Sequence, residues 1–519
     1  MSSSASASSS TTLPRDAPFL IVGGGVYGAS TALALTRAGY TNVTVLERSA
    51  DGHCASDAAS NDLNKVVRAD YSDLNFLSLA KEAISQWRQD PIFSPYFHEN
   101  GCLYHSGVGA DANSPRFHTH VERGVRLASR SEDAMLELAR KDTPLPPVAY
   151  PIKEDKDVLT AFPPALKTKL GHGLTKFGVS QTGYFNPRGG WAEANTATRS
   201  ALNEAQRLGA KLVGNALVTE LILDGKKTKG VKTADGRTFM AENTIIAAGS
   251  WSRILLEKLL PNSSVSGKLA PASHSAQCVL MLKLTPEECA AFANGPIITN
   301  LGTGFYVFPP NPDGILKAAI HGDDGFANPA PSFEPQWSEN GPFPSFKDGT
   351  EASFNGARQP TKHGKSNSVT YVPEDKAEQM MVQLLRLYPF LSNVDRSRIS
   401  SRICWYSDTH DENWIIDEHP DVENLVVAGG DSGHGFKFLP NIGRLIASRV
   451  RGGVASMAPL TEHQKKVFSF KHHMELAERA ARGEKIQTAD SARSHGGDPA
   501  AANPNWSKGP AFTIPQARL

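Results

Sequence analysis

Short apolar runs of four or five residues alternate with longer stretches of mixed polarity along this chain, a pattern typical of α/β proteins. The first apolar run covers residues 19–22 and leads through a glycine-rich turn into a helical pattern over residues 27–38. A second apolar run at residues 42–46 ends immediately before an acidic residue. The pattern predicts a βαβ unit near the start of the chain.

Similar elements return much later in the chain. Residues 191–208 have the pattern of a helix, residues 211–218 and 244–248 those of strands, and Asp235-Gly236 that of a hairpin turn. A further strand is predicted over residues 425–428 and a helix over residues 440–450. We therefore predict an α/β fold whose Rossmann-like, doubly wound domain is assembled from the discontinuous residues 17–85, 186–255 and 400–460. Residues 86–185 and 256–399 would form an α+β substrate domain with a mixed sheet.

Three stretches depart from this alternation. Residues 1–16 are rich in Ser, Ala and Thr and lack the apolar core of a secretory signal, which predicts a disordered leader. Residues 483–519 are poor in apolar residues and are predicted to form a flexible tail. Residues 322–373 are dense in Gly, Pro and Ser yet carry several aromatic residues. They form either a surface insertion without a role or a lid-like loop that packs over a site.

The composition excludes several classes of function. Lys and Arg number 54 against 53 Asp and Glu, a balance that lacks the basic excess of a nucleic-acid-binding protein. No apolar run approaches the roughly 20 residues that cross a bilayer. The five Cys are odd in number and show no CxxC spacing, which argues against a disulfide scaffold and a zinc site. We expect a globular enzyme that binds no nucleic acid, no membrane and no metal.

The glycine-rich turn after the first strand has the spacing of a dinucleotide-binding motif. Gly23, Gly25 and Gly28 are in GxGxxG register, and Glu47 follows at the end of the second strand. The first glycine permits the tight turn, the second lets the backbone approach a pyrophosphate, and the third lets helix and strand pack closely. The helix N-terminus attracts phosphate, and Glu47 would accept hydrogen bonds from the ribose. The same site is predicted to include Val26, Tyr27 and Arg48.

Four longer motifs carry a family resemblance. They are CWYSDTHDENWIIDEHP at residues 404–420, GGDSGHGFKFLPNIG at 429–443, YVFPPNPDGILKAAIH at 306–321 and SNDLNKVVRADY at 60–71. Together with TIIAAGSWS at residues 244–252, they resemble the sarcosine oxidase and fructosyl amino acid oxidase (amadoriase) family of FAD-dependent amine oxidases. The resemblance runs, with gaps, from about residue 19 to residue 470. It implies FAD as the cofactor, whereas the βαβ unit alone does not distinguish NAD from FAD.

The resemblance also implies how the flavin is held. In both branches of the family the matching cysteine is joined through sulfur to the 8α-methyl group of the isoalloxazine, and Cys404 is the residue in register. A thiolate is the nucleophile that such a link needs. Lys65 lies where the family places a cation near the flavin. Further cofactor contacts are assigned to Val218, Gly249, Asp431, Gly433, Gly435, Phe436 and Lys437.

Roles in the reaction follow from the same resemblance. Lys317 matches the lysine that is held over the flavin and activates oxygen. Electron transfer to oxygen creates superoxide, so a fixed cation about 4 Å away is worth roughly 4 kcal/mol at an effective dielectric constant near 20. Arg68 and Lys437 match residues that bind the substrate carboxylate. Tyr306 and Tyr71 match aromatic walls of the pocket.

Two positions point to different branches of the family. Fructosyl amino acid oxidases carry an acidic residue at the position of His321, whereas sarcosine oxidases have His there, as this chain does. His321 would hydrogen-bond the substrate or tune the protonation of its amine, or it is a core histidine with satisfied hydrogen bonds. The run NDLNK at residues 61–65, by contrast, resembles the fructosyl amino acid oxidases.

These observations predict an oxidase that converts the C–N bond of a secondary or N-methyl amino acid to an imine while oxygen is reduced to hydrogen peroxide. One alternative is a bulkier N-methylated metabolite whose imine cyclises. Others are a fructosyl amino acid, saccharopine or pipecolate. A flavin dehydrogenase with a different electron acceptor is a further alternative, and Lys317 argues against it. A non-catalytic flavoprotein is another, and the joint presence of Cys404, Lys317, Lys437 and Arg68 argues against it.

The last three residues bear on location. Ala517-Arg518-Leu519 is a variant of the SKL peroxisomal signal that the import receptor recognises. An enzyme that produces peroxide is expected beside catalase. We predict a peroxisomal location, with the cytoplasm as the alternative, and a monomer, as is common in the family.

Overall fold

The computed structural model describes residues 12–71, 73–105, 150–152, 159–170, 183–265, 272–300, 304–321, 372, 374–484 and 486. The predicted insertion apart from Val372, the tail from residue 487 and residues 1–11 of the leader lie outside these residues. The end of the predicted leader is part of the folded body. The Leu13 N–H donates to the Gly453 carbonyl at 3.0 Å, and Tyr40 Oη donates to the Leu13 carbonyl at 3.2 Å.

The strands of the described part of the chain are short, apart from two long ones in the second half. They are β1 Phe19–Val22, β2 Val43–Leu46, β3 Asn64–Val67, β4 Phe97–His98, β5 Cys102–His105, β6 Tyr150–Ile152, β7 Gly183–Asn186, β8 Gly190–Glu193, β9 Lys211–Val213, β10 Val218–Asp224, β11 Lys227–Thr233, β12 Thr238–Met240, β13 Asn243–Ile246, β14 Ala272–Lys283, β15 Ile297–Asn300, β16 Phe305–Phe308, β17 Ile315–Ile320, β18 Ile399–Thr409, β19 Ile415–Glu418 and β20 Leu425–Gly429.

The helices range from one to four turns. They are α1 Val26–Arg37, α2 Leu74–Gln89, α3 Pro164–Lys167, α4 Ala194–Arg207, α5 Ser252–Leu259, α6 Pro286–Ala291, α7 Glu374–Leu387, α8 Ile442–Ala447, α9 Glu462–Val467 and α10 Phe470–Ala481. Single 3₁₀ turns lie at Ser94–Tyr96, Gly249–Trp251, Pro389–Leu391, Arg396–Arg398 and Phe436–Phe438. No helix among these residues is long and apolar enough to cross a membrane.

A six-stranded sheet joins three distant parts of the chain in the order β19-β20-β13-β1-β2-β9. Its strands are parallel except for the antiparallel pair β19 and β20. In its centre β1 pairs with β2 on one side and with β13 on the other, beginning with Phe19 opposite Val43 and Asn243. This arrangement confirms the predicted α/β fold, with a doubly wound sheet built from discontinuous segments.

An eight-stranded sheet forms the second layer, in the order β18-β14-β17-β16-β15-β5-β7-β6. Its neighbours are antiparallel except for β15 and β5, so the sheet is mixed, as expected. β14 and β18 pair along eleven positions, from Ala272 opposite Thr409 to Leu282 opposite Ile399. β18 therefore belongs to this sheet, although the predicted boundary at residue 400 assigns most of it to the nucleotide-binding domain.

Two elements differ from the sequence prediction at their ends. The predicted helix over residues 191–208 begins only at Ala194, because Gly190–Glu193 forms β8 and pairs with β3. The predicted strand over residues 211–218 is two strands, β9 and β10, which belong to different sheets. The break falls at Gly214 and at Asn215, whose φ of 50° turns the chain. An added Cβ at Gly214 would lie 2.2 Å from the Ala50 carbonyl oxygen, so the turn is closely packed.

The apolar face of α1 packs against α4 and α8 and covers one side of the six-stranded sheet. Ten of the twelve α1 residues are buried, which leaves this helix without a solvent-facing stripe. Close approach to α8 depends on Gly443, where an added Cβ would lie 2.0 Å from the Ser30 carbonyl oxygen. The amino-terminal end of α1 is thereby fixed at the carboxyl ends of β1, β2 and β13, where ligands bind in folds of this kind.

Candidate active site

The glycine turn forms one corner of a large cavity. Gly23 has a φ of 110°, and an added Cβ there would lie 2.4 Å from the Ala247 carbonyl oxygen. At Gly28 a Cβ would lie 1.9 Å from the Gly23 carbonyl oxygen, so helix α1 and strand β1 meet only because this position has no side chain. The Val26 N–H at the start of α1 donates to Ser60 Oγ at 3.0 Å. The geometry matches the roles that the motif predicts for the first and third glycines.

This first cavity, here called the nucleotide cavity, encloses about 1210 Å³, part of it open to solvent. Nearly all residues predicted to contact the cofactor line it: Gly23, Gly25, Val26, Tyr27, Glu47, Arg48, Lys65, Val218, Gly249, Asp431, Gly433, Gly435 and Phe436. Gly28 is not among the lining residues, and Lys437 lines a second cavity instead. The predicted set is thus brought together from six separate parts of the chain.

Glu47 closes the glycine turn from the end of β2. Its Oε2 accepts a hydrogen bond from the Gly24 N–H at 2.7 Å, and its Oε1 accepts one from the Arg48 N–H at 2.8 Å. Burial raises the pKa of Glu47, while Arg48 and these N–H groups oppose the shift. The Ser49 N–H also donates to Oε1, at 3.3 Å, whereas Oε2 keeps a second lone pair, so Glu47 retains acceptor capacity for a ligand. Arg48 is fixed by an ion pair with Asp57 and by the ring of Trp251, 4.4 Å away.

The nucleotide cavity also carries polar groups that suit a ligand. Tyr27 Oη is buried and has no hydrogen-bond partner among the described residues. Asp431 is half-buried at the cavity surface, and desolvation together with the nearby Asp408 carboxylate raises the pKa of Asp431 to about 7. A buried hydroxyl without a partner is costly unless a ligand supplies one. The glycine cradle, the unpaired Tyr27 hydroxyl and the cavity volume fit a bound dinucleotide such as FAD.

A second cavity of about 740 Å³, here called the amine cavity, adjoins the first. The two share Lys65, Tyr406, Gly433 and Phe436 as wall residues. The predicted catalytic and substrate residues that line the amine cavity are Arg68, Tyr306, Lys317, His321 and Lys437. A planar ring at the shared wall would therefore face both the nucleotide site and the cationic side chains.

Lys317 lies in the middle of β17 and is 1% exposed. Its Nζ donates to Asp62 Oδ2 at 2.7 Å and to the Asn64 carbonyl oxygen at 2.7 Å. Lys65 Nζ donates to the same Asp62 oxygen at 2.5 Å. Burial lowers the pKa of Lys317 to about 8, although Asp62 opposes this shift. For Lys65, burial alone would lower the pKa, but the Asp62 carboxylate raises it above its usual range.

Cys404 lies in the centre of β18 and is buried. Its Sγ accepts a hydrogen bond from Lys65 Nζ at 3.2 Å. The two following residues, Trp405 and Tyr406, line the nucleotide cavity, whereas Cys404 is not among the residues found at its surface. The sulfur predicted to hold the flavin and the ammonium group predicted to activate oxygen are thus joined through Lys65 and Asp62, on one side of the site.

Lys437 belongs to a buried hydrogen-bond network beneath the amine cavity. Its Nζ donates to Tyr71 Oη at 2.8 Å and to the His434 carbonyl oxygen at 2.8 Å. Tyr71 Oη also bonds His434 Nδ1 at 3.0 Å, and His434 Nε2 bonds the Glu412 carbonyl oxygen at 3.0 Å. Tyr71 was predicted as a wall of the pocket, but it supports Lys437 and His434, which line the cavity. Burial and the Arg68 guanidinium lower the pKa of Lys437 well below its usual range.

Arg68 follows β3 and stands beside this network. Its guanidinium lies over the rings of Tyr71 and Tyr104, at 5.1 Å and 5.7 Å from their centroids, and Nη1 donates to the Asp70 carbonyl oxygen. Two aromatic rings and a backbone acceptor restrict a long side chain, which lowers the entropy that binding would otherwise cost. Arg68 and Lys437 line the same cavity, where their two cations can bind one carboxylate.

Tyr306 and His321 complete the wall around Tyr406. Tyr306 is hydrogen-bonded to Tyr406, and burial raises the pKa of Tyr306 to about 12. The ring of His321 lies 5.6 Å from that of Tyr406. Gly433, with a φ of 73°, fits between them, since an added Cβ would lie 2.6 Å from the Tyr406 ring and 3.1 Å from that of His321. The site places His321 at the cavity surface, where it can contact a substrate.

Sequence reasoning missed three residues of the site. Asp62 binds both lysines, His434 supports Lys437 from the GGDSGHGFK loop, and Tyr406 lines both cavities. Asp62 lies within the NDLNK run that carried the resemblance, and Tyr406 lies two residues after Cys404 on the same face of β18. The alternation of side chains along a strand was the available signal for Tyr406. The described residues contain no group of three or more His, Cys, Asp or Glu side chains that could hold a metal ion.

Comparison with known proteins agrees with this geometry. The family model described as FAD dependent oxidoreductase matches residues 19–449. The chain belongs to this family, and it is an FAD-dependent oxidoreductase. The predicted resemblance is thereby confirmed at the level of the family.

Three relatives show where in the family the chain stands. It is 30% identical to L-saccharopine oxidase of Schizosaccharomyces pombe over 458 residues, and the aligned region covers 84% of this chain and 90% of the relative. It is 27% identical over 287 residues to a monomeric sarcosine oxidase of Bacillus, covering 55% of this chain and 60% of the relative. The solved structure of fructosamine oxidase (amadoriase II) of Aspergillus fumigatus matches with a TM-score of 0.69 and 26% identity, covering 94% of this chain and 95% of the other.

Proposed function

We propose that this protein is an FAD-dependent amine oxidase that oxidises the C–N bond of a secondary or N-methyl amino acid to an imine. The electrons pass to oxygen, which yields hydrogen peroxide, and the imine hydrolyses in water. One observation carries the proposal: Arg68, Lys437 and buried Lys317 line a single cavity that shares a wall with the nucleotide cavity.

The substrate carboxylate would be held by Arg68 and Lys437. Both side chains are fixed before the substrate arrives, Arg68 by Tyr71 and Tyr104 and Lys437 by two hydrogen bonds. Because these cations stand beside the wall shared with the nucleotide cavity, a carboxylate bound there would present its α-amine towards that wall. When bound there, FAD supplies the oxidant for the C–N bond and passes its electrons to oxygen.

Lys317 would act in the reaction with oxygen. Its Nζ uses two of its three N–H donors for Asp62 and the Asn64 carbonyl, which fixes the ammonium without neutralising the cluster. Superoxide is the first product of electron transfer to oxygen, and a fixed cation stabilises it. A dehydrogenase that avoids oxygen has no use for such a cation. Traces from an oxygen electrode distinguish the two functions, because a dehydrogenase would consume no oxygen.

We also propose that the flavin is attached through Cys404. The support is the register of the motif and the Lys65 ammonium at 3.2 Å, which can stabilise negative charge on the sulfur during attack. Acid denaturation of the protein as isolated should leave the yellow colour with the polypeptide. In Cys404→Ala the colour should remain in the supernatant after precipitation.

The experiment that tests the main proposal is a panel of amines scored by peroxide. It includes N-methyl amino acids, pipecolate, saccharopine and fructosyl amino acids, with catalase added in a parallel series as the control. Peroxide from at least one secondary amino acid is expected. If no member of the panel bleaches the flavin without oxygen, the proposal of an amine oxidase is wrong.

Saccharopine is the second candidate substrate, and the similarity to one relative favours it. The relative from Schizosaccharomyces pombe that is named for this amine is 30% identical over 90% of its length. His321, in place of an acidic residue, does not favour a fructosyl amino acid. In the panel, saccharopine should then give a lower KM than sarcosine.

A peroxisomal location is part of the proposal and rests on Ala517-Arg518-Leu519, which lie outside the described residues. Peroxide production gives a reason for that compartment. A fluorescent fusion at the amino-terminal end should co-localise with catalase, and removal of the last three residues should leave it in the cytosol. A monomer remains our expectation and is checked by sedimentation.

A further inference from the structure

Asp62 is a buried anion between the two lysines of the redox site. Its side chain is fully enclosed, and its Oδ2 accepts hydrogen bonds from Lys65 at 2.5 Å and from Lys317 at 2.7 Å. Its Oδ1 accepts a third from the Leu63 N–H at 2.8 Å. Burial alone would raise the pKa of Asp62, but the Lys317 and Lys65 ammonium groups hold it well below its usual range. The cluster of two cations and one anion therefore keeps one net positive charge.

The same carboxylate reaches the proposed attachment point of the flavin. Lys65 Nζ divides its donors between Asp62 and Cys404 Sγ. The Lys65 side chain is 17% exposed, so it has room to turn away from the sulfur once its anchor is removed. Lys317 has no such freedom, because its side chain is 1% exposed. Loss of Asp62 should thus free one lysine and leave the other buried without its counter-ion.

The loop that carries Asp62 is fixed from β18. The buried guanidinium of Arg402 donates to the Asn61 carbonyl oxygen and, at 3.1 Å, to the Ala58 carbonyl oxygen. The Asn195 N–H donates to the Asp62 carbonyl oxygen at 3.0 Å. Since the backbone is held by these contacts, replacement of the Asp62 carboxylate by an amide changes the charge while the loop keeps its support.

We propose that Asp62 is the positioning residue that couples the two halves of the redox site: it holds Lys65 against Cys404 and keeps Lys317 charged and in place for the reaction with oxygen. The inference rests on the proposed function. The charged and titratable groups that act most strongly on Lys317 are Asp62 on the loop, Lys65 on β3 and Cys404 on β18. The Arg402 guanidinium, also from β18, acts on the same Asp62 carboxylate. The ring of Phe308 lies 5.0 Å from its Nζ and carries no charge.

The test measures oxidation of the flavin in Asp62→Asn. The holoenzyme is reduced without oxygen by light with EDTA as the electron donor, so no substrate amine is needed, and is then mixed with oxygen over a series of pH values. Wild-type protein should react fast below pH 8 and more slowly above it, since Lys317 has a pKa of about 8. Without the carboxylate, Lys317 remains buried but lacks the counter-ion that opposes the effect of burial on its pKa, so it loses its proton at lower pH. In Asp62→Asn the rate of flavin oxidation should begin to fall about 2 pH units lower than in wild type, and it should return to the wild-type rate in acid.

Two further variants control this result. Asp62→Glu retains the charge and should leave the pH dependence near that of the wild type. Asp417→Asn removes a carboxylate that pairs with Arg449 and lines neither cavity, and it should change nothing in either half-reaction. The fraction of flavin that stays with acid-precipitated protein is the second measurement. It should fall in Asp62→Asn, because Lys65 no longer holds its place at the sulfur.

Lys65→Met should shift the pH dependence of flavin oxidation in the opposite direction to Asp62→Asn. This variant therefore tests the proposal even if Asp62→Asn does not fold. With one ammonium left on the carboxylate, the pH above which oxidation slows should move up, since Lys65 lowers the pKa of Lys317. An unchanged pH dependence in these variants, or an equal loss at every pH, would refute the coupling. If the reduced protein behaves as expected but no amine is oxidised, only the proposed substrate is wrong. If wild-type protein does not react with oxygen, the role of Asp62 is decided by the second measurement alone: the fraction of flavin that stays with acid-precipitated protein must fall in Asp62→Asn.

Discussion

Replacement of Lys317 by methionine tests the proposed chemistry most directly. The substitution removes one charge and leaves the Asp62 carboxylate paired with Lys65, so the net charge of the cluster changes from positive to neutral. Methionine is similar in length and flexible, and it can fill the space of the lysine stem. The remaining ion pair leaves Asp62 with a partner, so the variant should fold.

The magnitude follows from the burial of this cation. Lys317 is 1% exposed, and solvent therefore screens its field little. A unit charge about 4 Å from a developing superoxide is worth about 4 kcal/mol at an effective dielectric constant near 20. That energy corresponds to roughly a thousandfold in rate. Lys317→Met should therefore slow the reaction of the reduced flavin with oxygen by about a thousandfold.

The assay separates the two half-reactions in a stopped-flow instrument. Anaerobic reduction by the best amine of the panel gives the first rate constant, and mixing of the photoreduced protein with oxygen gives the second. Reduction should change by less than about tenfold, because the carboxylate is bound by Arg68 and Lys437 instead. Lys283→Met, at the partly exposed end of the neighbouring strand β14, is the matched control and should behave as wild type. Equal losses in both half-reactions would refute the role of Lys317 in the reaction with oxygen.

Three further outcomes are expected. In wild-type protein the rate of flavin oxidation should fall about tenfold per pH unit above pH 8, because Lys317 has a pKa lowered to about 8 and is active when protonated; a flat profile from pH 7 to pH 10 would contradict this. Lys437→Gln should raise KM for the amino acid roughly 10- to 100-fold, since a charge-assisted hydrogen bond contributes about 1.5–3 kcal/mol, while oxidation by oxygen is unchanged in rapid mixing. Gly28→Ala should abolish FAD binding or folding, because its Cβ would lie 1.9 Å from the Gly23 carbonyl oxygen. The control Gly39→Ala, with no atom within 4 Å of the added Cβ but a φ of 85°, should show only a modest decrease in melting temperature. Normal flavin content in Gly28→Ala would show that the close contact is dispensable.

The sequence located the nucleotide cavity well because its determinants are local. A strand, a glycine turn and a helix follow one another within some twenty residues. Only glycine satisfies the steric requirement at Gly23 and Gly28, so the residue type itself indicates the turn. Glu47 is likewise found by its place after β2. The motif at residues 429–443 is found for a similar reason, since Gly433 must pass between Tyr406 and His321.

The ends of two elements could not be predicted from local pattern. Residues 191–193 have the pattern of the start of a helix, but they pair with β3, a strand more than a hundred residues earlier in the chain. Pairing with a distant strand satisfies the backbone N–H and C=O groups of these residues, and the local sequence pattern does not show which segment that partner will be. The same holds for β18. The domain boundary predicted from the sequence places most of this strand in the nucleotide-binding domain, whereas its pairing with β14 places it in the eight-stranded sheet.

For this protein the order of residues along the chain determined the class of fold, the glycine cradle and the identity of the chemical groups: lysines, an arginine, tyrosines and a cysteine in recognisable motifs. Only the tertiary structure decided how those groups act on one another. It brought Cys404, Lys65, Asp62 and Lys317, from three distant segments, onto one hydrogen-bonded chain, and it placed Tyr71 beneath Lys437 rather than in the wall of the pocket. Motifs record residue types and spacing, whereas the field at a buried ammonium depends on which charges lie within a few ångströms of it, and that distance is set by the packing of the whole fold.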